Sequence, residues 1–300
     1  MLSNKFKVNY SVGAVANGVK TDTFTFFLLF FYSNIIGLNP GLAGSAIFIA
    51  LCIDAITDPL MGTISDRTNS SFGRRHPYMF ISFIPMSLGY ILLFAPRQEW
   101  DMSQTDLFIW MTIFTVITRI GMTLFDIPHR AFGGEVTKDY KERTILMSWR
   151  EMFAWVAGLS NAFLGYGVFF ASTPEFPQGQ LNPDVWFPFA LTGAAIMVFS
   201  VLYSSLSTKD EINSLSKWSG AISLLDIFNE LKIAVGNKSF LIFFFGNLFL
   251  SLAWGLSNSL TLFVNTYFWE FEATQIKYFL PIYIFGTLFA FYLTPRLVKV

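Results

Sequence analysis

Leu42–Ile64 reads LAGSAIFIALCIDAITDPLMGTI, an apolar run long enough to cross a bilayer that nevertheless carries Asp54 and Asp58. A carboxylate at the bilayer centre costs about 2.5–3.5 kcal/mol on insertion scales, so such residues face a bundle interior, a partner or a solute pathway. At positions i and i+4 the two side chains share one helix face, where like charges repel unless a cation or a proton lies between them. The pair asks for a positive ligand and is the first candidate site.

The rest of the chain supports the membrane reading. Among 300 residues, 36 are Phe, 53% are hydrophobic and only 13% are charged, and the mean hydropathy is +0.51. That combination describes an integral membrane protein and excludes a soluble domain. Zero net charge gives no indication of nucleic acid or of an acidic partner. Cys52 is the single cysteine, so no disulfide can form within the chain. Met1–Lys7 is polar and basic without a short apolar core and a cleavage site, so the first apolar segment is expected to be retained as a helix.

Apolar windows fall at about 12–38, 42–64, 78–96, 106–132, 146–171, 185–206, 239–268 and 274–294, which predicts eight spans. Lys and Arg placement predicts that both chain ends are cytoplasmic: fourteen such residues fall on that side and two, Arg97 and Lys277, on the other. Lys20, Arg119, Arg130 and Arg150 are assigned to the spans themselves. The expected organisation is a six-helix N-terminal half (1–206), a cytoplasmic linker (207–238) and the first two helices of a second half (239–300). Six spans, a polar stretch and resumed spans is the layout of carriers built from two six-helix halves, and four helices of that second half are absent from this sequence. Within the linker, Ile222, Leu225, Ile227, Phe228, Leu231 and Ile233 read as either a surface amphipathic helix or a solvated connector.

Gly62, Asp66 and Arg67, followed by Gly73, Arg74 and Arg75, form a basic, glycine-punctuated loop between spans two and three. Positive charge there serves topology, but the glycines and Asp66 are not needed for that. Gly62 would allow close helix approach, and Asp66 could pair with an arginine to lock the cytoplasmic side. The pattern resembles the loop signature of the major facilitator superfamily. The run Asp54-Ala-Ile-Thr57-Asp58-Pro-x-x-Gly62, with Thr123-Leu-Phe-Asp126-Ile-Pro128 and Trp149-Arg150-Glu151, narrows the resemblance. It is similar to the glycoside-pentoside-hexuronide:cation symporters, the melibiose permease-like family.

The resemblance implies an all-α fold of major facilitator type and a non-enzymatic secondary transporter. It assigns Asp54, Thr57, Asp58 and Thr123 to a coupling-cation site and Asp126 and Arg150 to sugar hydroxyls. Two carboxylates and two hydroxyls are hard oxygen donors suited to Na⁺, with Asp54 and Asp58 as its ligands, and a shared proton would serve equally. Thr57 stands where sodium-using relatives often have Asn, and Gly18 stands where an Asp meets the sugar, with Asp22 one turn later. Lys20, Arg119 and Arg130 either pair internally or join Arg150 to bind the carboxylate of an anionic sugar.

Trp254, in mid-span seven near Asn247, Asn258 and Asn265, either lines the pathway or packs helices. Phe24, Phe26, Phe27, Phe30, Phe31 and Tyr32, like Tyr267, Phe268 and Trp269, are expected to face lipid. His76 and His129 fall near the cytoplasmic boundary outside any metal or catalytic constellation. The expected function is Na⁺- or H⁺-coupled symport of a glycoside, pentoside or uronide, without a cofactor, by a monomer in the plasma (inner) membrane. Two alternatives stand beside it: a lysolipid or other amphiphile carrier of the same fold, and a non-transporting membrane sensor or assembly partner.

Overall fold

The structure, a computed structural model, describes residues 2–210, 233 and 235–297. The linker positions Ile222, Leu225, Ile227, Phe228 and Leu231 lie outside the described residues. Among those described, the secondary structure is helical throughout, without strands.

Helix α1 runs over residues 4–36 and contains two π-helical stretches, Thr23–Phe27 and Phe31–Ile36. It begins at Asn4, well before the apolar window, because the Ser3 side chain accepts from the Phe6 amide at 3.1 Å and caps it. Helix α2 is Pro40–Arg67, capped by Asn39 with proline in the first turn. Helix α3 covers His76–Leu93. Helix α4, Gln104–Glu135, opens on a reciprocal capping box between Ser103 and Asp106. Helix α5 covers Tyr140–Phe169, α6 Trp186–Ser207, α7 Lys238–Phe268 and α8 Ala273–Leu297.

By length and composition, α2 to α7 can cross a membrane. The eight helices lie at the eight apolar windows, α1 carrying two π stretches and α8 an apolar run over Gln275–Phe291.

Helix α1 is the inner helix, packed by α5, α6 and α7, while α4 is flanked by α2 and α3. Close approach is made by glycine where helices cross. A Cβ on Gly18 would sit 2.0 Å from the Ala154 carbonyl oxygen, and one on Gly121 would sit 2.4 Å from the Met86 nitrogen. No side chain fits at either place.

The aromatic residues of span one do not form a lipid-facing belt. Phe27, Phe30, Phe31 and Tyr32 are buried, with the first three ringed around the fully buried Trp186 together with Phe94 and Phe170. Because α1 is enclosed on several sides, its bulky residues fill the core instead. Tyr267, Phe268 and Trp269 are exposed.

Candidate functional site

Two polar rungs join α2 to α4. Arg119 Nη1 donates to Asp54 Oδ2 at 2.6 Å, and Thr123 Oγ1 donates to Asp58 Oδ1 at 2.6 Å. Both rungs span 65 residues of sequence, as expected when positions one turn apart on two parallel helices lie in register. Pro59 and Pro128 sit inside these helices close to the acids, each removing one intrahelical N–H donor. Thr57 does not join the rungs: its hydroxyl stays on its own helix, 3.5 Å from the Asp54 carbonyl.

The two carboxylates are therefore unequal. Asp54 has a guanidinium on one oxygen, while Oδ1 is buried with no hydrogen-bond partner. Asp58 is met by a neutral hydroxyl. An orphaned carboxylate oxygen beside a carboxylate and a hydroxyl is a donor set that fits a small hard cation. Lys20, on α1, lies within electrostatic reach of Asp54, Asp58, Asp126 and Arg119. Its ammonium is 5.6 Å from the centre of the Phe24 ring, which the Arg119 guanidinium also approaches at 5.8 Å.

One turn further along α4 lies a four-ion cluster. Asp126 accepts from Arg130 Nε at 2.7 Å through one oxygen and from Arg150 through the other. Arg150 also donates to Glu151 at 2.5 Å, and Arg130 reaches Glu151 at 3.8 Å. Arg150 is completely buried, and its Nε is 3.5 Å from His129 Nδ1. His129 is fully buried, stacks on Tyr10 at 4.2 Å and bonds the Tyr10 carbonyl at 3.0 Å. Both arginines are committed to carboxylates, so internal pairing accounts for Arg119, Arg130 and Arg150 alike.

Other predicted site residues lie apart. Two positions along a helix turn it by about 200°, so Asp22 points away from Lys20 and is buried against Gly158 of α5 instead. Trp254 stacks on Trp155 with ring centres 5.9 Å apart, one turn along α5 from Glu151, and remains more than half exposed.

At the far end of α2, Arg75 pairs with Asp66 at 2.6 Å and with Glu135 at 2.8 Å, and Arg74 pairs with the other Glu135 oxygen. Gly73 has φ +74°, a left-handed turn that brings the two arginines round. Arg67 is exposed and takes no part in these pairs. Gly62 does not mediate close approach: a Cβ there would touch only Ile127 Cγ2 at 3.8 Å, because longer polar side chains join α2 to α4. Glu135, the acceptor of both arginines, gave no sequence signal, since its partners lie 60 and 61 residues away. Glu151, quoted in the run Trp149-Arg150-Glu151, proves to be a partner of both Arg150 and Arg130.

A family model described as MFS/sugar transport protein matches residues 9–300. The inner membrane symporter YicJ of Escherichia coli is 31% identical over 164 residues, 55% of this chain and 35% of that protein. The uncharacterized symporter sll1374 of Synechocystis is 32% identical over 211 residues, 68% of this chain and 37% of that protein. The uncharacterized symporter YnaJ of Bacillus subtilis is 30% identical over 277 residues, 89% of this chain and 55% of that protein. The chain thus spans between about a third and somewhat over half the length of these relatives. Matches extend to a glucuronide carrier protein homolog of Escherichia coli and a sodium-dependent lysophosphatidylcholine symporter of Danio rerio. The chain is an integral, multi-pass membrane protein of the MFS/sugar transport family, within the glycoside-pentoside-hexuronide:cation symporters of the major facilitator superfamily, a family of transporters rather than enzymes.

Proposed function

We propose that the protein carrying this chain is a secondary transporter that couples a glycoside, pentoside or uronide to Na⁺ or H⁺ by alternating access. The observation that carries this reading is the pair of rungs between α2 and α4, Asp54–Arg119 and Asp58–Thr123, one turn from the Asp126–Arg150 cluster. A cation between Asp58, Thr123 and the free oxygen of Asp54 would draw α2 onto α4. Because α4 also presents Asp126, tightening that helix pair fixes the carboxylate against which solute hydroxyls bind. Coupling is then the cation's greater affinity for the state that holds solute, and it acts reciprocally. The Asp66–Arg75–Glu135 cluster ties the α2–α3 loop to the end of α4, a contact that opening at that end must break. In this reading the bulk of Lys and Arg marks the cytoplasmic side of the plasma (inner) membrane, with the N-terminus inside.

The test is Asp58→Asn in the intact transporter, assayed by solute uptake driven by a Na⁺ or a pH gradient. Loss of gradient-driven accumulation, with the folded protein retained, is expected; unchanged ion dependence would sink the cation assignment. A second cargo reading is supported by the Danio rerio relative, whose name specifies a lysolipid. A panel of glycosides, uronides and lysolipids in a thermal-shift assay decides between them, because the true cargo raises the melting temperature as it binds the native state.

A further inference from the structure

Asp22 lies midway along α1, buried with only 7% of its surface exposed, and its Oδ2 has no hydrogen-bond partner. Its polar neighbour is Asn161 of α5, which donates to Thr23 at 3.2 Å while its own Oδ1 is also buried without a donor. Tyr90 of α3 donates to the same Thr23 hydroxyl at 2.8 Å. The titratable groups that face Asp22 are the phenols of Tyr90 and Tyr166. Helix α6 contains no Asp, Glu, Lys, Arg or His, and α7 contains only Lys238, at its first residue. No cation reaches Asp22 among the described residues. Two buried acceptors in one site, Asp22 Oδ2 and Asn161 Oδ1, are without a donor.

The geometry points to Asp22 as a proton-binding site built into the α1–α5 interface, separate from the acidic pair on α2. A proton on the carboxyl supplies the missing donor, because a protonated Asp donates from one oxygen and the Asn161 carbonyl oxygen can accept it. The charge balance agrees. Lys20, Arg119, Arg130 and Arg150 match Asp54, Asp58, Asp126 and Glu151 one for one, and an ionised Asp22 would be an unpaired fifth carboxylate in the bundle.

The interface also explains how the proton could be exchanged. Gly18 and Gly158 bring the backbones of α1 and α5 together around Asp22, so that a Cβ on Gly158 would lie 3.2 Å from the Asp22 Cβ. While that contact is closed, water is kept from the carboxyl. When α1 parts from α5, the Asp22 O–H bond breaks, its electron pair stays on the carboxylate oxygen and the proton passes to water. Protonation favours the closed contact and ionisation the open one, so a pH gradient biases the position of α1. The site itself stands on the packing of α1 against α5; its use in coupling rests on the transport reading above.

Infrared difference spectroscopy of the purified, lipid-reconstituted protein between acidic and alkaline buffer tests the site without any knowledge of the cargo. Wild type is expected to show a protonated-carboxyl band that Asp22→Asn removes and Asp22→Glu shifts, while Asp58→Asn leaves that band in place. A band that survives in Asp22→Asn overturns the site. For the coupling role, the pH profile of solute counterflow is expected to flatten in Asp22→Asn and to move in Asp22→Glu. Profiles identical to wild type overturn that role. Absence of counterflow of any solute by wild type overturns the transport reading instead, and the infrared result still decides the site.

Discussion

At Asp54 the Arg119 guanidinium already supplies the positive charge that two carboxylates one turn apart require, whereas Asp58 is met by a hydroxyl alone. The consequence can be measured by removing the tethered cation. Arg119→Gln leaves the Asp54 carboxyl without its hydrogen-bonded guanidinium in a partly buried position, and breaking a buried pair in this way costs up to about 3–5 kcal/mol. The variant is expected to melt at lower temperature than wild type in ion-free buffer and to recover more than wild type on adding Na⁺, because the free carboxylate now gains a second ligand role. A Na⁺-induced shift no larger than in wild type would mean that Arg119 and the ion do not share Asp54. The acids were legible in the sequence because charge inside an apolar run is costly, and the cost is visible without coordinates. Their partners were not, since Arg119 lies 65 residues from Asp54 and only the parallel register of α2 and α4 brings them together. Glu135 illustrates the same limit: a helix-end glutamate near basic residues has no distinctive local pattern, and its role with Arg74 and Arg75 comes from the loop turned by Gly73.

Helix boundaries and helix faces divide along similar lines. Spans α2 to α7 follow from long apolar windows, which report bilayer length directly. Periodicity does not report which span is enclosed, and so the aromatic residues of α1 read as lipid-facing although they pack around Trp186. Glycine is equally ambiguous until its neighbours are known. Gly18 cannot accept even a methyl group, because the Ala154 carbonyl occupies that space. Gly18→Ala is expected to push α1 off α5 and to destabilise the protein by about 1–3 kcal/mol, the usual range for overpacking. Gly62→Ala meets only ordinary contact at 3.8 Å and is expected to be neutral or to gain up to about 1 kcal/mol from helix propensity. Thermal unfolding of the two variants side by side tests the assignment. A Gly62→Ala variant as unstable as Gly18→Ala would show that close approach at α2–α4 matters after all.

Among the described residues the membrane-level charges cancel once Asp22 carries its proton, and this balance bears on the cargo. Arg130 and Arg150 are already held by Asp126 and Glu151, so a solute carboxylate must compete with pairs that exist rather than fill a vacant guanidinium. Lys20 is the membrane-level cation outside the ion pairs among the described residues, and it faces the carboxylates of both α2 and α4. A cation bound at Asp58 adds one positive charge to a balanced interior and also relieves Lys20 of part of its attraction to Asp58, leaving the ammonium freer for an anion. An anionic sugar then restores neutrality, while a neutral glycoside leaves the excess charge in a low-dielectric setting. Binding of a uronide is therefore expected to be strengthened by the coupling cation more than binding of the matching neutral glycoside. Such couplings are typically about 5–150-fold. Binding isotherms for one glycoside and its uronide, each with and without Na⁺ and at two pH values, measure the difference directly, and Lys20→Gln should abolish it. Equal enhancement of both solutes, or a difference that survives in Lys20→Gln, would show that the cation acts through the helix contacts of α2 and α4 alone and that Lys20 takes no part in reading the solute's charge.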